Sequence, residues 1–397
     1  MITVSEALTL IGRDVPSLDC EVIPLGSSVG RVLAKDVAAD TDLPPFDRSQ
    51  MDGYAVVAED TRSAPAKLKI VGESSAGHGW HHAMKSGEAV RIMTGAPLPP
   101  GANAVQKIEL TSEADGVVTI DESTKLAANI VFRGSEVKAG DRVFSKGERV
   151  TEQMIASLAA FGCSSVSVSV RPRVGILATG SEIVPVEETP SIDQIRNSNA
   201  PMLSALSAKC GAAPTEFPLA DDDLERLTAR ISDGLGSSDV LIITGGVSVG
   251  KYDLTKPALR SLGAEIHFEK VSLKPGKPAV FATLGESLIF GLPGNPVSAA
   301  VTFELFVRPA LMQMQGCSQP YLRPGHAVLA TPVKAAKERD TYLPATLTTD
   351  EKGRLIAAPT RWQGSSDFIG YSKAEALVVV EAGRKLEAGD VSSVLFL

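Results

Sequence analysis

The sequence contains no Cys-x-x-Cys pair: Cys20, Cys163, Cys210 and Cys317 are scattered singly along the chain. That spacing excludes a zinc ribbon and a dithiol redox centre and leaves four reduced thiols. An excess of positive charge is also missing, since 39 Lys and Arg stand against 47 Asp and Glu for a formal net charge of −8. The balance excludes a general nucleic-acid or anionic-membrane surface while permitting a local basic pocket for an anionic ligand. No apolar run approaches the length of a membrane span, and residues 1–18 lack the basic start and apolar core of a secretory signal. The expectation is a cytoplasmic protein. Internal repeats are absent too. What the chain does have is 397 residues with 44% apolar and 22% charged side chains, an ordinary globular composition long enough for roughly two to four domains.

The most informative stretch runs from Asp239 to Lys256. Val240–Ile243 is a continuous, β-branched apolar run, too short for a helix, and predicts a strand buried on both faces of a parallel sheet. Gly245, Gly246 and Gly250, with Ser248 among them, follow at the carboxyl end of that strand, where open α/β sheets bind ligands. Their lack of side chains leaves backbone amides open to an anion, although a tight strand-to-helix connection accounts for the glycines equally well. Asp253 and Lys256 come next. Upstream, a strand from Arg173 leads to Thr179-Gly-Ser-Glu182, a helix runs from Asn199 to Gly211, and Ala220-Asp-Asp-Asp precedes a helix with Leu224, Leu227, Ile231 and Leu235 on its apolar stripe. Downstream come Lys274-Pro-Gly-Lys-Pro, a strand over Leu288–Phe290, the loop Gly291–Pro296 and a long helix from Val297 to near Gly316. This alternation predicts a mostly parallel sheet flanked by helices, with Glu182, Asp222, Asp253, Lys270 and Lys274 gathered at one edge.

The flanking regions read differently. Thr3 and Glu6 have capping-box spacing ahead of Val4, Leu8 and Ile11, so the chain opens with an amphipathic helix. Paired prolines then force an extended entry into Phe46-Asp-Arg-Ser-Gln-Met-Asp-Gly-Tyr, which displays Asp47 and Asp52 on a loop, and Asp52-Gly53 marks a turn before a strand. Short strands at Leu68–Val71, Ala89–Met93, Val117–Ile120 and Arg142–Phe144 make residues 54–150 β-rich. Within that region Thr94 and Glu136 sit in glycine-containing loops, and His78, His81 and His82 occupy a loop with no patterned element to fix a metal geometry. Thr151 opens a helix whose Met154, Ile155, Leu158 and Phe161 point one way. Beyond 320, strands at Ala327–Ala330, Thr341–Leu347, Arg354–Ala357 and Ala376–Val380 predict a small barrel or sandwich.

Carboxylates and lysines on separate loops are costly to bury unless paired or bound to a ligand. Hard oxygen donors suit Mg²⁺, which bridges carboxylates to substrate phosphates, while lysines and glycine-loop amides suit phosphate or a tetrahedral oxyanion. The residues therefore point to a metal-assisted reaction on a phosphorylated substrate.

Six motifs in this order carry a resemblance: Pro45-Phe-Asp-Arg-Ser-Gln-Met-Asp-Gly-Tyr-Ala, Arg91-Ile-Met-Thr-Gly-Ala-Pro, Thr179-Gly-Ser-Glu, Thr244-Gly-Gly-Val-Ser-Val-Gly, Lys274-Pro-Gly-Lys-Pro and Gly291-Leu-Pro-Gly-Asn-Pro-Val-Ser. Over nearly its whole length the chain resembles the molybdopterin molybdenumtransferases, the molybdenum-insertion enzymes to which the carboxyl-terminal part of gephyrin is also related. The resemblance implies a multidomain α/β plus β protein in four parts: residues 1–45 with 139–172, a helical linking part; 46–138, a β-rich insert; 173–318, a mostly parallel α/β molybdopterin-binding domain; and 319–397, a small β-barrel. It implies a homodimer that takes adenylylated molybdopterin and molybdate, hydrolyses the adenylate with Mg²⁺, releases molybdenum cofactor and AMP, and meets other molybdenum-cofactor enzymes transiently, with no nucleic-acid or membrane partner. Asp52, Glu182, Asp222 and Asp253 match the family's catalytic acids; Glu182, Asp222, Asp253 and Glu136 its metal ligands; Thr94, Gly245, Gly246, Ser248, Gly250, Lys270, Lys274, Pro293, Gly294, Pro296, Arg339 and Ser365 its substrate and molybdate loops. Two positions depart from the pattern, Glu136 where the family has Asp and Gln50 where it has a small residue. The related molybdopterin adenylyltransferases share the α/β domain but carry a Gly-Gly-Thr-Gly turn in place of the longer turn here, and a non-catalytic scaffold on the same fold would be marked by loss of the acids and lysines.

Overall fold

The computed structural model describes residues 1–220, 223–246, 254–360, 364 and 366–397. The chain divides into two compact units: Met1–Lys35, Lys146–Ala156 and Ser164–Leu397 form one, and Asp36–Ser145 with Ser157–Cys163 form the other.

In the larger unit six strands make one sheet: β1 (Arg173–Ala178), β2 (Ala213–Glu216), β3 (Val240–Thr244), β4 (Glu265–Phe268), β5 (Val280–Leu284) and β6 (Ser287–Leu292), in the spatial order β2-β1-β3-β6-β5-β4. Parallel pairing joins β2 to β1, β1 to β3 and β3 to β6, and β5 runs antiparallel to both β6 and β4. The expected mostly parallel sheet is therefore present. From β1 the chain passes through helix α1 (Asn199–Lys209) to β2 on one side, then through α2 (Leu224–Ser237) back across to β3 on the other. That reversal makes the β1/β3 crevice the topological switch point, where loops diverge and a ligand finds room.

Period-two geometry explains the unbroken apolar run at β3. Val240 and Ile242 enter the core shared with Ile176, Phe281 and Phe290, while Leu241 and Ile243 enter a second core with Leu177, Leu227 and Ile231. The first core also buries Val4, Ala7 and Ile11 of the amino-terminal helix Val4–Asp14, whose Thr3/Glu6 capping box forms as read. Leu224 departs from expectation: it is exposed, because Asp223 caps α2 by accepting from the Arg226 amide and the buried stripe starts one turn later at Leu227.

The long helix after β6 has three segments, α-helical at Pro296–Thr302, π-helical at Phe303–Val307 and α-helical again at Arg308–Met314. The Arg308 amide donates to the Phe303 carbonyl, five residues back. Pro309 supplies the cause, since its ring crowds the preceding turn and it has no N–H to donate. The π segment buries Glu304, which is 3% exposed, with Arg308 Nε 3.9 Å from Glu304 Oε2. Burial pushes the Glu304 carboxyl above the ordinary glutamate range, against the pull of Arg308 and Lys209. A folded state that holds this proton more tightly than the unfolded chain is favoured below the ordinary pKa of about 4.3 and loses that contribution as pH rises through the folded value. Urea midpoints between pH 5 and 8 are therefore expected to fall less steeply in Glu304→Gln than in the parent; an identical slope would mean that Glu304 is ionised throughout.

The carboxyl-terminal strands close into a five-stranded barrel. Asp340–Thr349 pairs with both Leu355–Pro359 and Ala376–Val380, and Pro324–Leu329 and Val391–Phe396 complete the ring around Leu329, Ala345, Val378 and Val394. Leu273–Lys274 adds a short parallel pairing at Asp340 and Thr341.

The smaller unit holds a six-stranded sheet in the order Ala104–Lys107, Gly53–Val56, Glu88–Ile92, Ala66–Ser74, Val117–Ile120, Thr111–Ala114. It has a core on each face. The first and last of these strands escaped the sequence reading because Ala104-Val-Gln-Lys has a single β-branched residue and Thr111-Ser-Glu-Ala is mostly polar. Gly53 is a strand residue, not a turn residue: a Cβ there would lie 1.9 Å from the Gln106 carbonyl oxygen. Close approach of two backbones, not a bend, selects glycine at this position.

Candidate active site at the sheet switch point

A cavity of about 1080 Å³ opens over the carboxyl ends of β1, β3 and β6. Thr179–Ile183 follow β1, Gly245 and Gly246 follow β3, Pro293–Pro296 follow β6, and all three turns line it. Residues 194–199, entering α1, form another wall, and Ser366 and Phe368 reach it from the carboxyl-terminal region. Five of the positions read from the sequence as cofactor-binding, Gly245, Gly246, Pro293, Gly294 and Pro296, thus stand together with the carboxylate of Glu182.

The turns are locked by a small hydrogen-bond network. The Thr179 amide donates to the Thr244 carbonyl at 3.0 Å. Thr244 Oγ1 donates to the Pro293 carbonyl at 3.2 Å and accepts from Asn199 Nδ2 at 2.8 Å, and Asn199 Nδ2 also donates to the Gly294 carbonyl at 2.8 Å. Asn199 and Thr244 are both buried, so these bonds are shielded from competing water. Asn199 was legible only as the start of a helix; its one signal was a polar residue ahead of an apolar helical face. Gly245 has φ +93, and a Cβ there would sit 2.2 Å from the Thr179 carbonyl oxygen. Its amide is committed to the Leu292 carbonyl at 3.2 Å. The expectation that this amide is open to an anion is therefore corrected: the glycine lets the β1 and β3 turns touch.

Glu182 is exposed at the cavity and folds back over Gly180, its Oε2 2.6 Å from where a Cβ on that glycine would lie. Neither Lys270 nor Lys274 lines the cavity. Lys270 is exposed, and its carbonyl accepts from the Ile2 amide. Lys274 lies in the pairing with the barrel strand, beside Arg339, whose Nη1 donates to the Leu273 carbonyl at 3.5 Å. Of the two lysines expected at the sheet edge with Glu182, Lys274 instead stands with Arg339 on adjoining backbone at the barrel, because Leu273–Lys274 is drawn into strand pairing there. Asp222, Ser248, Gly250, Asp253 and Ser365 lie outside the described residues.

The other candidates belong to the smaller unit. Thr94 donates to Asp52 Oδ1 from its amide at 2.7 Å and from its hydroxyl at 2.9 Å. These two bonds, the amide first, hold the Asp52 carboxyl below the ordinary aspartate range, so it is ionised at neutral pH. Glu136 already faces a cation, Arg48 Nη2 at 3.6 Å. His78, His81 and His82 are exposed, with His82 edge-on to Trp80. Among the described residues no three His, Cys, Asp or Glu side chains form a group that could hold a metal.

A doubly wound α/β domain with a ligand cavity at its switch point, followed along the chain by a closed β-barrel and preceded by a β-rich unit, defines a class of multidomain α/β proteins built around a small-molecule site. Residues 2–162 match the family model described as MoeA N-terminal region (domain I and II), residues 175–313 the probable molybdopterin binding domain, and residues 326–397 the MoeA C-terminal region (domain IV). The chain is 34% identical to the molybdopterin molybdenumtransferase of Staphylococcus epidermidis over 99% of its own length and 95% of that protein. It is 35% identical to the molybdopterin molybdenumtransferase of Bacillus subtilis over 100% of its length and 94% of that protein. The crystal structure of the molybdopterin biosynthesis MoeA protein of Pyrococcus horikoshii is similar throughout, with a TM-score of 0.87, 29% identity and 100% of both chains covered. The chain belongs to the molybdopterin molybdenumtransferase family.

Proposed function

We propose that this protein inserts molybdenum from molybdate into adenylylated molybdopterin, with Mg²⁺-dependent hydrolysis of the adenylate, and releases molybdenum cofactor and AMP. The observation that carries the reading is the single cavity wall on which Glu182, the Gly245–Gly246 turn and the Pro293–Pro296 turn meet over the carboxyl ends of parallel strands. The apolar walls supplied by Ala178, Ile183, Pro278 and Phe368 suit a planar pterin, and the polar turns suit its charged end. Mg²⁺ typically uses one or two carboxylates plus substrate phosphates rather than an all-protein cage, so an exposed Glu182 carboxylate fits it. Mg²⁺ bound there would neutralise phosphate charge and polarise the phosphorus centre. Glu182 would hold that ion, and the locked turns keep its carboxylate in register with the cavity.

Molybdate is a dianion, and Lys274 with Arg339 supplies adjoining positive charge suited to holding it. Asp52 and Thr94, on the separate β-rich unit, are proposed to serve the same reaction in a cytoplasmic homodimer whose chain is organised in the four parts inferred from sequence. The reading is tested by mixing the purified protein with adenylylated molybdopterin, Mg²⁺ and molybdate and following AMP. Release that requires both added ions is expected. AMP release indifferent to molybdate would sink it, and pyrophosphate release from ATP and molybdopterin would favour the adenylyltransferase reading.

A further inference from the structure

Arg196 is the only cation among the described residues that line the cavity, and Glu182 is the only carboxylate. The two do not pair. Arg196 is instead held by its own Nε, which donates to the Val186 carbonyl at 2.9 Å. That bond closes a flap in which Ile183–Val184 pairs in parallel with Ile195–Arg196, reinforced by the Ile195 amide on the Glu182 carbonyl at 2.8 Å and the Asn197 amide on the Val184 carbonyl at 2.9 Å. The same flap thus carries, on adjoining backbone, the two charged side chains found among the described lining residues. Neither Nη nitrogen of Arg196 has a hydrogen-bond or ion-pair partner among the described residues.

An exposed arginine is ordinarily a solvated one. Three features set this one apart. Its Nε bond has already removed part of the rotamer freedom that binding would otherwise cost. Its neighbours on the wall, Pro190, Ile195 and Ile183, are apolar, so charge interactions at this protein surface are stronger than in bulk water. Lastly, the chain carries a net charge of −8, which makes the one cation among the described lining residues a selective feature for an anion.

From this we infer that Arg196 is the anion-reading residue of the cavity, engaging a phosphate ester of the ligand through its Nη nitrogens. The inference rests on the pterin-nucleotide reading for the ligand's identity but not for the chemistry, because a phosphate monoester and a phosphoanhydride both offer non-bridging oxygens to a guanidinium. Adenylate and pterin phosphate are the two sources of that group, and separate probes tell them apart.

Binding of AMP, adenosine and the pterin monophosphate molybdopterin would be measured by calorimetry on the full-length wild-type protein, Arg196→Gln and Arg196→Lys. Wild type is expected to prefer AMP over adenosine, with Arg196→Gln losing about tenfold to a hundredfold in AMP affinity, the range for a charge-assisted hydrogen bond. Adenosine binding should be unchanged, and Arg196→Lys should recover part of the loss. If the loss falls on molybdopterin and spares AMP, the phosphate read is the pterin's. Equal affinities of wild type and Arg196→Gln for both phosphorylated probes overturn the inference, whether or not the protein inserts molybdenum. A wild type that binds AMP through Arg196 yet releases none from adenylylated molybdopterin overturns the proposed reaction and leaves the anion site standing.

Discussion

Replacing Glu182 by glutamine is expected to slow AMP release about a hundredfold, the cost typical of removing one preorganised electrostatic group from a reacting site, while leaving the urea midpoint unchanged. The side chain is exposed at the cavity and is the only carboxylate among the described residues lining it, so the substitution removes charge without creating a buried orphan. Glutamine keeps the length and one acceptor oxygen but is a far poorer ligand for a hard cation. Raising Mg²⁺ should therefore recover part of the rate. A variant that works at the wild-type rate at limiting Mg²⁺ would remove Glu182 from the reaction, and one that unfolds at lower urea would assign it a structural role instead.

The second large effect concerns the backbone. Gly245→Ala is expected to destabilise the larger unit by about 3 kcal/mol or more, summing a strained positive φ with an overpacked contact. The added methyl would stand 2.2 Å from the Thr179 carbonyl oxygen at φ +93, and that carbonyl is backbone that can retreat only by loosening the β1/β3 pairing. Because the same turn abuts Gly294 and the Asn199 network, ligand affinity should fall along with stability. Gly236→Ala is the internal control: a Cβ there meets nothing within 4 Å and the residue is helical, so it should gain up to about 1 kcal/mol. Denaturant midpoints of the two variants moving in opposite directions would support this account; equal midpoints would mean that the β1 and β3 turns separate at little cost.

Much of the architecture was legible in the sequence because it is locally encoded. The double burial of β3 follows from four consecutive β-branched or leucine residues and the amino-terminal helix from its capping box, whereas the short strands after 320 left barrel and sandwich open and strand closure decided for the barrel. The motif order likewise located Glu182, the Gly245 turn and the Pro293–Pro296 turn, each immediately after a strand, and a parallel sheet necessarily brings such turns to one edge. Tertiary packing decided the rest, for a common reason: these features depend on which distant backbone lies alongside. Gly53 is required by Gln106 across the sheet, and Gly245 by Thr179 on the neighbouring strand, neither of which is visible in a turn-like dipeptide. Lys274 was drawn to Arg339 by a pairing with residues more than sixty positions later. Asn199, whose side chain ties Thr244 to Gly294, and Arg196, a cation on the cavity lining, gained their places only when three loops converged, because a side chain's partners are set by the fold and its spacing along the chain records only its own helix or strand.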